Sequence, residues 1–529
     1  MTIGILLVSC VILLCVVAEK FSNQFGMPAL IFFMFIGMLF GSDGILKIPF
    51  ENFSLAETVC SIALIFIMFY GGFNTKWQAA KKVAGAAILL STAGVLLTAL
   101  ITTFLCHVFL HFTWLESFLI GAVLSATDAA SVFAILRKKK LNLKDGTASM
   151  LEVESGSNDP LSYLLTVIGI SLASSDSSNN TVQLIFLQII FGVTIGVIFA
   201  KLSILLLLKS NLISEGLDTI FVIAMVLLCY AMTNILGGNA YLSIYLMGLI
   251  IGNSRIKNKQ TLIPFFDGVT SLAQILIFFL LGLLTFPHKI PDIFFTALAI
   301  VVFITLIARP IAVFLLLLPA KCSVKQCLLV TWAGLRGASS SVFSIMVVAN
   351  GTTMRHDLFH IVFLVSLFSV SIQGTLLPAV SKLLDMVDET SDVRKTFNDY
   401  QDDLAFTLMR MFIPKGHSWE NKMIKDVHIP TGSLALMIKR KNETIITRGN
   451  TQILAGDSII LSVPAYQPEE AEELEEKNIE PNHPWCNKTI AELNLPTDEL
   501  IAMIIRGSET IIPEGATMIL ENDIVVTYH

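Results

Sequence analysis

The stretch LEVESGSNDP, Leu151 to Pro160, sets Glu152, Glu154, Asn158 and Asp159 inside a long apolar run. Other apolar runs hold Thr127 and Asp128 in SATDAAS, Arg309 in IARPIAV and Arg336 in WAGLRGASSS. An ionisable group at the centre of a bilayer is costly and by default marks an ion or proton pathway. Carboxylate, amide and hydroxyl oxygens are hard ligands suited to an alkali cation. Burial disfavours the charged form of a carboxylate, while a nearby arginine or backbone dipole favours it. Such a group can hold a proton or a dehydrated monovalent cation, but not both. Either load leaves the same net charge, so the expected chemistry is one-for-one, electroneutral exchange.

The three acids of the stretch are not equivalent. Glu154 and Asn158, four residues apart, share a helix face, whereas Asp159 points about 140° away from Glu154 at about 100° per residue. Glu154 is expected to pair with Arg336, because a buried acid without a cation is strongly destabilising. Arg309 precedes Pro310, which kinks its helix, and two readings stay open: a partner for freed carbonyls or for an acid, structural or accessory to the site. Glu152 lies nearer the helix end and is expected to line an entrance. Asp159 is the candidate carrier, with Thr127, Asp128, Ser155 and Asn158 supplying oxygens beside it. A lone intramembrane acid can also be structural glue, and that alternative weighs most on Glu154.

These side chains need a membrane scaffold, and the composition supplies one. The chain has 529 residues, 54% of them hydrophobic and 14% charged, with a mean hydropathy of +0.75. Soluble proteins carry about 25% charged residues. A hydrocarbon core of about 30 Å takes about 20 apolar residues per helix, and thirteen such spans are predicted: 3–18, 27–41, 56–73, 83–106, 114–137, 149–172, 183–208, 217–236, 239–253, 262–286, 292–319, 325–349 and 358–384. With the N-terminus outside, the cytoplasmic loops hold 16 Lys and Arg, including Arg137 to Lys140, and the outer loops hold 3: Lys47, Lys289 and Arg355. That asymmetry follows the positive-inside rule and places the loop SSDSSNN outside and the tail in the cytoplasm. The N-terminal run lacks a basic leader and reads as a retained helix. The eight cysteines show no metal spacing and read as packing residues.

Helices 5 and 12 each carry a break in mid-span, at Thr127-Asp128 and at Gly334 to Ser341. They lie seven spans apart and therefore run in opposite senses. Paired interrupted helices of opposite sense point to an inverted-repeat transporter with its site at the midplane, because broken helix in a membrane is tolerated only where it is buried in protein or lines a cavity. The fold expected is thus an all-α polytopic membrane domain of inverted repeats and broken helices, followed by small α+β cytoplasmic domains; the resemblances below imply that the broken helices cross and that the tail domains are regulatory.

TDAASV, ESGSNDP, ARPIAV and WAGLRGA, in that order, resemble the NhaP-like cation/proton antiporters of the sodium/proton exchanger superfamily, in particular bacterial potassium/proton antiporters. The resemblance covers nearly all of the first 385 residues. It implies a dimerisation part and a core part, helices 5 and 12 crossing where they unwind, elevator-like movement of the core, a homodimer and a bacterial plasma-membrane location. It also implies that Thr127 and Asp128 lie at the crossing, that Asn158 and Asp159 form the ion-binding pair, and that Glu154 and Arg336 form a buried ion pair. One departure is Tyr70 in MFYGGFNT, where relatives often carry an acid.

From Asp385 onward the chain turns polar, with 25 acidic against 13 basic residues. The 46 residues from His417 and the 46 from His483 align without a gap at an offset of 66, with 20 identities. Each copy predicts a helix-like start, an apolar strand, a turn, a short strand, then GD or ND leading into a last strand. The domains expected are 1–384 (membrane), 385–402 (linker), 403–466 (first copy), 467–479 (an acidic linker, EEAEELEEKNIE reading as solvated helix or linker) and 480–529 (second copy). Each copy resembles an RCK_C, or TrkA-C, domain. Such modules pair, and some bind a nucleotide such as cyclic di-AMP, so a regulatory ligand is expected to compete with a purely structural role. No Gly-rich dinucleotide fingerprint follows a tail strand.

The composition and motifs weigh against other classes. A ligand-gated cation channel is the alternative, but no TVGYG-like filter or acid ring is visible. No nucleophile constellation or metal-ligand cluster suggests an enzyme; His107, His111, His288 and His356 fall near the outer edge. No resident cofactor and no nucleic-acid partner is expected, only K+ or Na+, H+ and membrane lipid. K+ is favoured over Na+ because the resembling tail modules commonly govern potassium traffic.

Overall fold

In the computed structural model the chain forms two compact units, Met1–Val393 and Arg394–His529. The structure describes residues 2–25, 27–139, 141–173, 181–209, 217–254, 256, 259–352, 354–388, 406–430, 433–440, 443–464, 474–481, 483–493, 495, 500–506, 509–511 and 513–528. SSDSSNN, most of the linker 385–402, the acidic run before Leu474, and Lys140, Arg255 and Lys257 lie outside them.

Among the described residues the first unit contains thirteen membrane helices in the expected order. Eight segments are long and apolar enough to cross a membrane: within helices 1, 3, 4, 7, 8, 10, 11 and 13. Helix 2 (Ala29–Phe40) and helix 9 (Ala240–Gly252) are shorter, helices 5 and 12 are interrupted, and helix 6 (Thr147–Ala173) carries the acids. The large apolar side chains left outside, such as Leu13, Phe186, Phe295 and Leu306, face what would be lipid or another chain.

The helices pack as two sets. Helices 1–3 and 7–10 pack on one another, as do helices 4–6 and 11–13. In the first set glycines let backbones touch: a Cβ on Gly248 or Gly252 of helix 9 would lie 2.2 or 2.0 Å from the Phe69 or Phe73 carbonyl of helix 3. Without a hydrophobic force between helices in lipid, such close approach is a main source of association. In the second set helix 4 (Ala84–Leu110) and helix 11 (Pro287–Leu317) each contain a π turn, Leu90–Gly94 and Ile304–Ala308. They are seven helices apart, the offset that also separates helices 5 and 12. The second π turn immediately precedes Arg309 and Pro310, whose ring nitrogen cannot donate.

The first unit ends in a strap. Lys144 N–H donates to the Met386 carbonyl (2.9 Å) and Asp388 N–H to the Asn142 carbonyl (2.9 Å), with Leu143 and Val387 bridged antiparallel. Met386 is buried. Asp385 meets Lys144 at 2.9 Å and Lys325 at 3.4 Å, exposed pairs of little energetic weight. The segment leading to the tail is therefore zipped onto the loop that begins helix 6, beside the start of helix 12.

The tail repeat is visible as two four-stranded sheets. The first has the order β1-β4-β2-β3, with β1 Phe406–Phe412, β2 Leu434–Arg440, β3 Glu443–Ile446 and β4 Ser458–Pro464. The second has the order β5-β8-β6-β7, with β5 Leu474–Asn478, β6 Leu500–Arg506, β7 Glu509–Ile511 and β8 Ile524–Tyr528. Registers repeat at the offset of the sequence: Leu408 faces Ser462 as Leu474 faces Tyr528. Two expectations are corrected. The acidic run read as helix or linker contributes β5, and the helix-like start of each copy is a short 3-10 turn, Ile424–Asp426 and Ile490–Glu492.

Each copy closes on the same ion pair. Arg440 Nε and Nη2 each donate to Asp457 at 2.8 Å, and Arg506 does the same to Asp523. Burial would raise the Asp457 and Asp523 carboxyls, but the arginine and the Leu454 or Leu520 N–H outweigh it and hold both below the ordinary range. A depressed folded-state value stabilises above the unfolded value and is lost as pH falls through the folded one. The tail's unfolding temperature should therefore hold steady near neutrality and drop below about pH 4. Arg440→Met with Arg506→Met should lower it already at neutral pH, as read by differential scanning calorimetry.

Candidate functional site

Helix 5 starts on a capping box, with Thr113 Oγ1 accepting from Glu116 N–H and Glu116 returning a bond to Thr113 N–H. It runs Trp114–Val123, unwinds, and resumes as Ala129–Lys138. Asp128 restarts it: the carboxylate accepts from Ser131 N–H (3.1 Å) and Ser131 Oγ (2.5 Å), the bonding of an N-cap. Helix 12 starts on the Ser323 cap, runs Val324–Trp332, unwinds, and resumes as Ala338–Ala349.

The two unwound segments cross and satisfy each other's backbone. Asp128 N–H donates to the Leu335 carbonyl (2.8 Å). Arg336 Nη1 donates to the Ser125 and Ala126 carbonyls, at 2.9 and 2.5 Å, which places its cation at the negative end of the first half of helix 5. Arg336 N–H donates to Ser369 Oγ (3.0 Å), Ser369 donates to Gln373, and Trp332 Nε1 donates to the Gln373 carbonyl (3.1 Å). Helix 13 thus braces the break in helix 12.

The glycines of WAGLRGA clear this crossing. A Cβ on Gly337 would sit 1.9 Å from Asp128 Oδ2, and one on Gly334 would sit 2.9 Å from Arg309 Nε. Gly337→Ala should therefore displace the Asp128 cap and lose transport together with thermal stability. Gly85→Ala, which meets nothing within 4 Å, should leave both unchanged in the same flux and melting assays.

Four of the sequence-nominated residues converge against helix 6. Ser155 Oγ donates to the Thr127 carbonyl (2.7 Å) and Asn158 Nδ2 to Thr127 Oγ1 (2.5 Å). Asp159 is buried one residue on. Ser339 Oγ donates to Asp159 Oδ2 (2.5 Å), a partner the sequence showed only as a helix-weakening serine. It is the second residue of the resumed helix 12, so Asp159 lies at a helix N-terminus, where anions are favoured. Asp159 Oδ1 and Asn158 Oδ1 are buried and accept no hydrogen bond among the described residues. Two orphaned oxygens of this kind are costly unless a proton or a cation takes them up.

The expected Glu154–Arg336 pair is corrected. Glu154 Oε1 lies 2.6 Å from Arg309 Nη2, both fully buried. Arg336 Nη1 is occupied by the helix 5 carbonyls, and Arg309 of helix 11 takes the acid of helix 6 instead. The open question about Arg309 thus resolves toward an acid partner.

Residues 7–383 match the family described as "Sodium/hydrogen exchanger, transmembrane". The chain is 33% identical over 469 residues to the K(+)/H(+) antiporter NhaP of Alkalimonas amylolytica, covering 86% of this chain and 80% of that one. It is 32% identical over 461 residues to the K(+)/H(+) antiporter NhaP2 of Shewanella sp. (strain ANA-3), covering 86% and 79%. The chain belongs to the sodium/hydrogen exchanger family. Its fold is similar to that of the sodium proton antiporter MjNhaP1 from Methanocaldococcus jannaschii at pH 8, with a TM-score of 0.64 at 22% identity over 72% of this chain and 98% of that one. This exchanger also carries two TrkA-C domains, matched at 408–477 and 474–526, and the second match includes β5.

Proposed function

We propose that this chain is a secondary antiporter that exchanges a monovalent cation, K+ before Na+, for H+ by alternating access, with Asp159 as the group both ions share. The observation that carries the reading is the pair of orphaned oxygens on Asp159 and Asn158 beside Thr127 and Ser339. Charge supports one-for-one exchange. At the crossing Arg309 and Arg336 offset Glu154 and Asp128, and all four are buried. Asp159 is balanced by its load, whether proton or cation, so either loaded core crosses electrically neutral, while an empty core carries an uncompensated charge. A transporter of this kind has no catalytic residues. K+ is favoured because the relatives that align through the tail as well as the membrane part are named K(+)/H(+) antiporters.

The finer assignments belong to the same proposal. The chain works as a homodimer in the bacterial plasma membrane with its N-terminus outside, and Asp128, Ser155 and Thr127 shape the ion site. The TrkA-C pair regulates transport on the cytoplasmic side, with cyclic di-AMP or another nucleotide as its ligand. The strap at 385–388 supports that role, because it ties the chain entering the tail to the loop before helix 6. The test is dye-monitored proton flux in everted vesicles with K+, Na+, Rb+ and Li+ added in turn. K+ should give the lowest half-saturating concentration. Proton flux indifferent to every cation would sink the exchange reading, and strong dependence on membrane voltage would sink electroneutrality.

A further inference from the structure

Beyond Asp159, toward the Ala173 end of helix 6, the site is covered by side chains from both helix sets. Asn239 precedes helix 9 and is buried. Its backbone N–H donates to the Gln188 carbonyl of helix 7 (2.9 Å), and its Oδ1 accepts from Leu242 N–H (3.0 Å) as the cap of helix 9. Its Nδ2 donates across the set boundary to the Pro160 carbonyl (2.7 Å), one residue from the carrier.

The same side is sealed by rings. Tyr163 lies one helical turn beyond Asp159, and Phe343 one turn beyond Ser339. Tyr163 meets Phe343 at 5.8 Å and Tyr241 of helix 9 edge-on at 5.0 Å between centroids. Tyr241 also meets Phe343 at 6.1 Å and Tyr230 of helix 8 at 5.8 Å. Tyr241 and Phe343 are buried. One set contributes Pro160, Tyr163 and Phe343, all placed by the two helices that hold the carrier. The other contributes Asn239, Tyr230 and Tyr241. These two groups stand between Asp159 and the Ala173 side, so parting them would widen access to the site from that side.

We propose that Asn239 is a positioning residue for the exchange: with Tyr241 it latches the carrier helices to helices 7–9 and closes the Asp159 site on the Ala173 side, releasing when that side opens. The bond to Pro160 is made in the state closed on that side and broken in the state open there, so it sets the balance between the two. This rests on Asp159 being the carrier.

Asn239→Ser separates the latch from the cap. Serine is an equally good N-cap but too short to reach the Pro160 carbonyl. Cation-dependent proton flux is measured from both faces, in everted and in right-side-out vesicles, with Asp159→Asn in parallel. A latch worth one net hydrogen bond predicts about a fivefold shift. The half-saturating cation concentration should fall on the face toward Ala173 and rise on the opposite face, with the melting temperature unchanged. Phe343→Leu, which loosens the seal from the other helix set, should shift both values in the same senses and decides the matter if Asn239→Ser does not accumulate. Values that stay put, or that move together on both faces, overturn the latch while loss of exchange in Asp159→Asn upholds the carrier. Exchange retained in Asp159→Asn overturns the carrier and the latch with it.

Discussion

Asp159→Asn is expected to reduce cation-dependent proton movement to the level of vesicles without the protein. The amide has the shape of the carboxyl and can still accept the Ser339 hydroxyl now bonded to Oδ2, so the helix 6–helix 12 contact should survive. What disappears is the charge. Removing one partner of a buried ion pair costs about 3–5 kcal/mol, so a dehydrated cation should bind at least ~100-fold more weakly. The amide also has no proton to release. The expected phenotype is a normally folded, normally melting protein that neither binds the cation nor moves protons. Near-normal flux in Asp159→Asn would move the carrier elsewhere, with Asp128 the next acid at the crossing.

The second large effect is on stability. Glu154→Gln removes the carboxylate 2.6 Å from Arg309 and leaves that guanidinium fully buried. The cost should be about 3–5 kcal/mol, seen as a marked fall in melting temperature in detergent or nanodiscs. The double variant Glu154→Gln/Arg309→Met should recover most of it, since it leaves no unpaired charge buried. Glu154→Gln/Arg336→Met should recover none and lose more, because Arg336 holds the Ser125 and Ala126 carbonyls that the break in helix 5 sets free. Recovery in the Arg336 combination instead would restore the pairing expected from sequence.

That pair shows where the sequence stops being informative. Eight of the thirteen spans were legible as apolar runs of membrane length, and the breaks were legible because glycines, serines and a Thr-Asp pair interrupt two others. Asn158, Asp159, Thr127 and Ser155 were nominated by type, and they do come together. Which arginine takes Glu154 depends on how helix 11 packs beside helix 6, and a π turn at Ile304–Ala308 leaves no one-dimensional mark. The same holds for Gly334 and Gly337, whose need to be glycine is a clearance from Arg309 and Asp128 on other helices. Ser339 sat in plain view within a serine run, but its bond to Asp159 spans 180 residues.

In the tail the miss has a different cause. β1 is apolar, FTLMRMF, whereas its counterpart β5 is LEEKN. β5 is an edge strand, and edge strands carry charge to discourage pairing with other chains. Its composition therefore reads as solvated linker although its register repeats that of the first copy.

The central claim is that one buried carboxylate is emptied of its proton when the cation enters. It is tested most directly by adding KCl to purified, weakly buffered protein near neutral pH, with potassium binding and released protons measured together. Close to one proton released per potassium bound in the wild type, and neither binding nor release in Asp159→Asn, is the predicted result. Potassium binding without proton release, or equal release from Asp159→Asn, would contradict it.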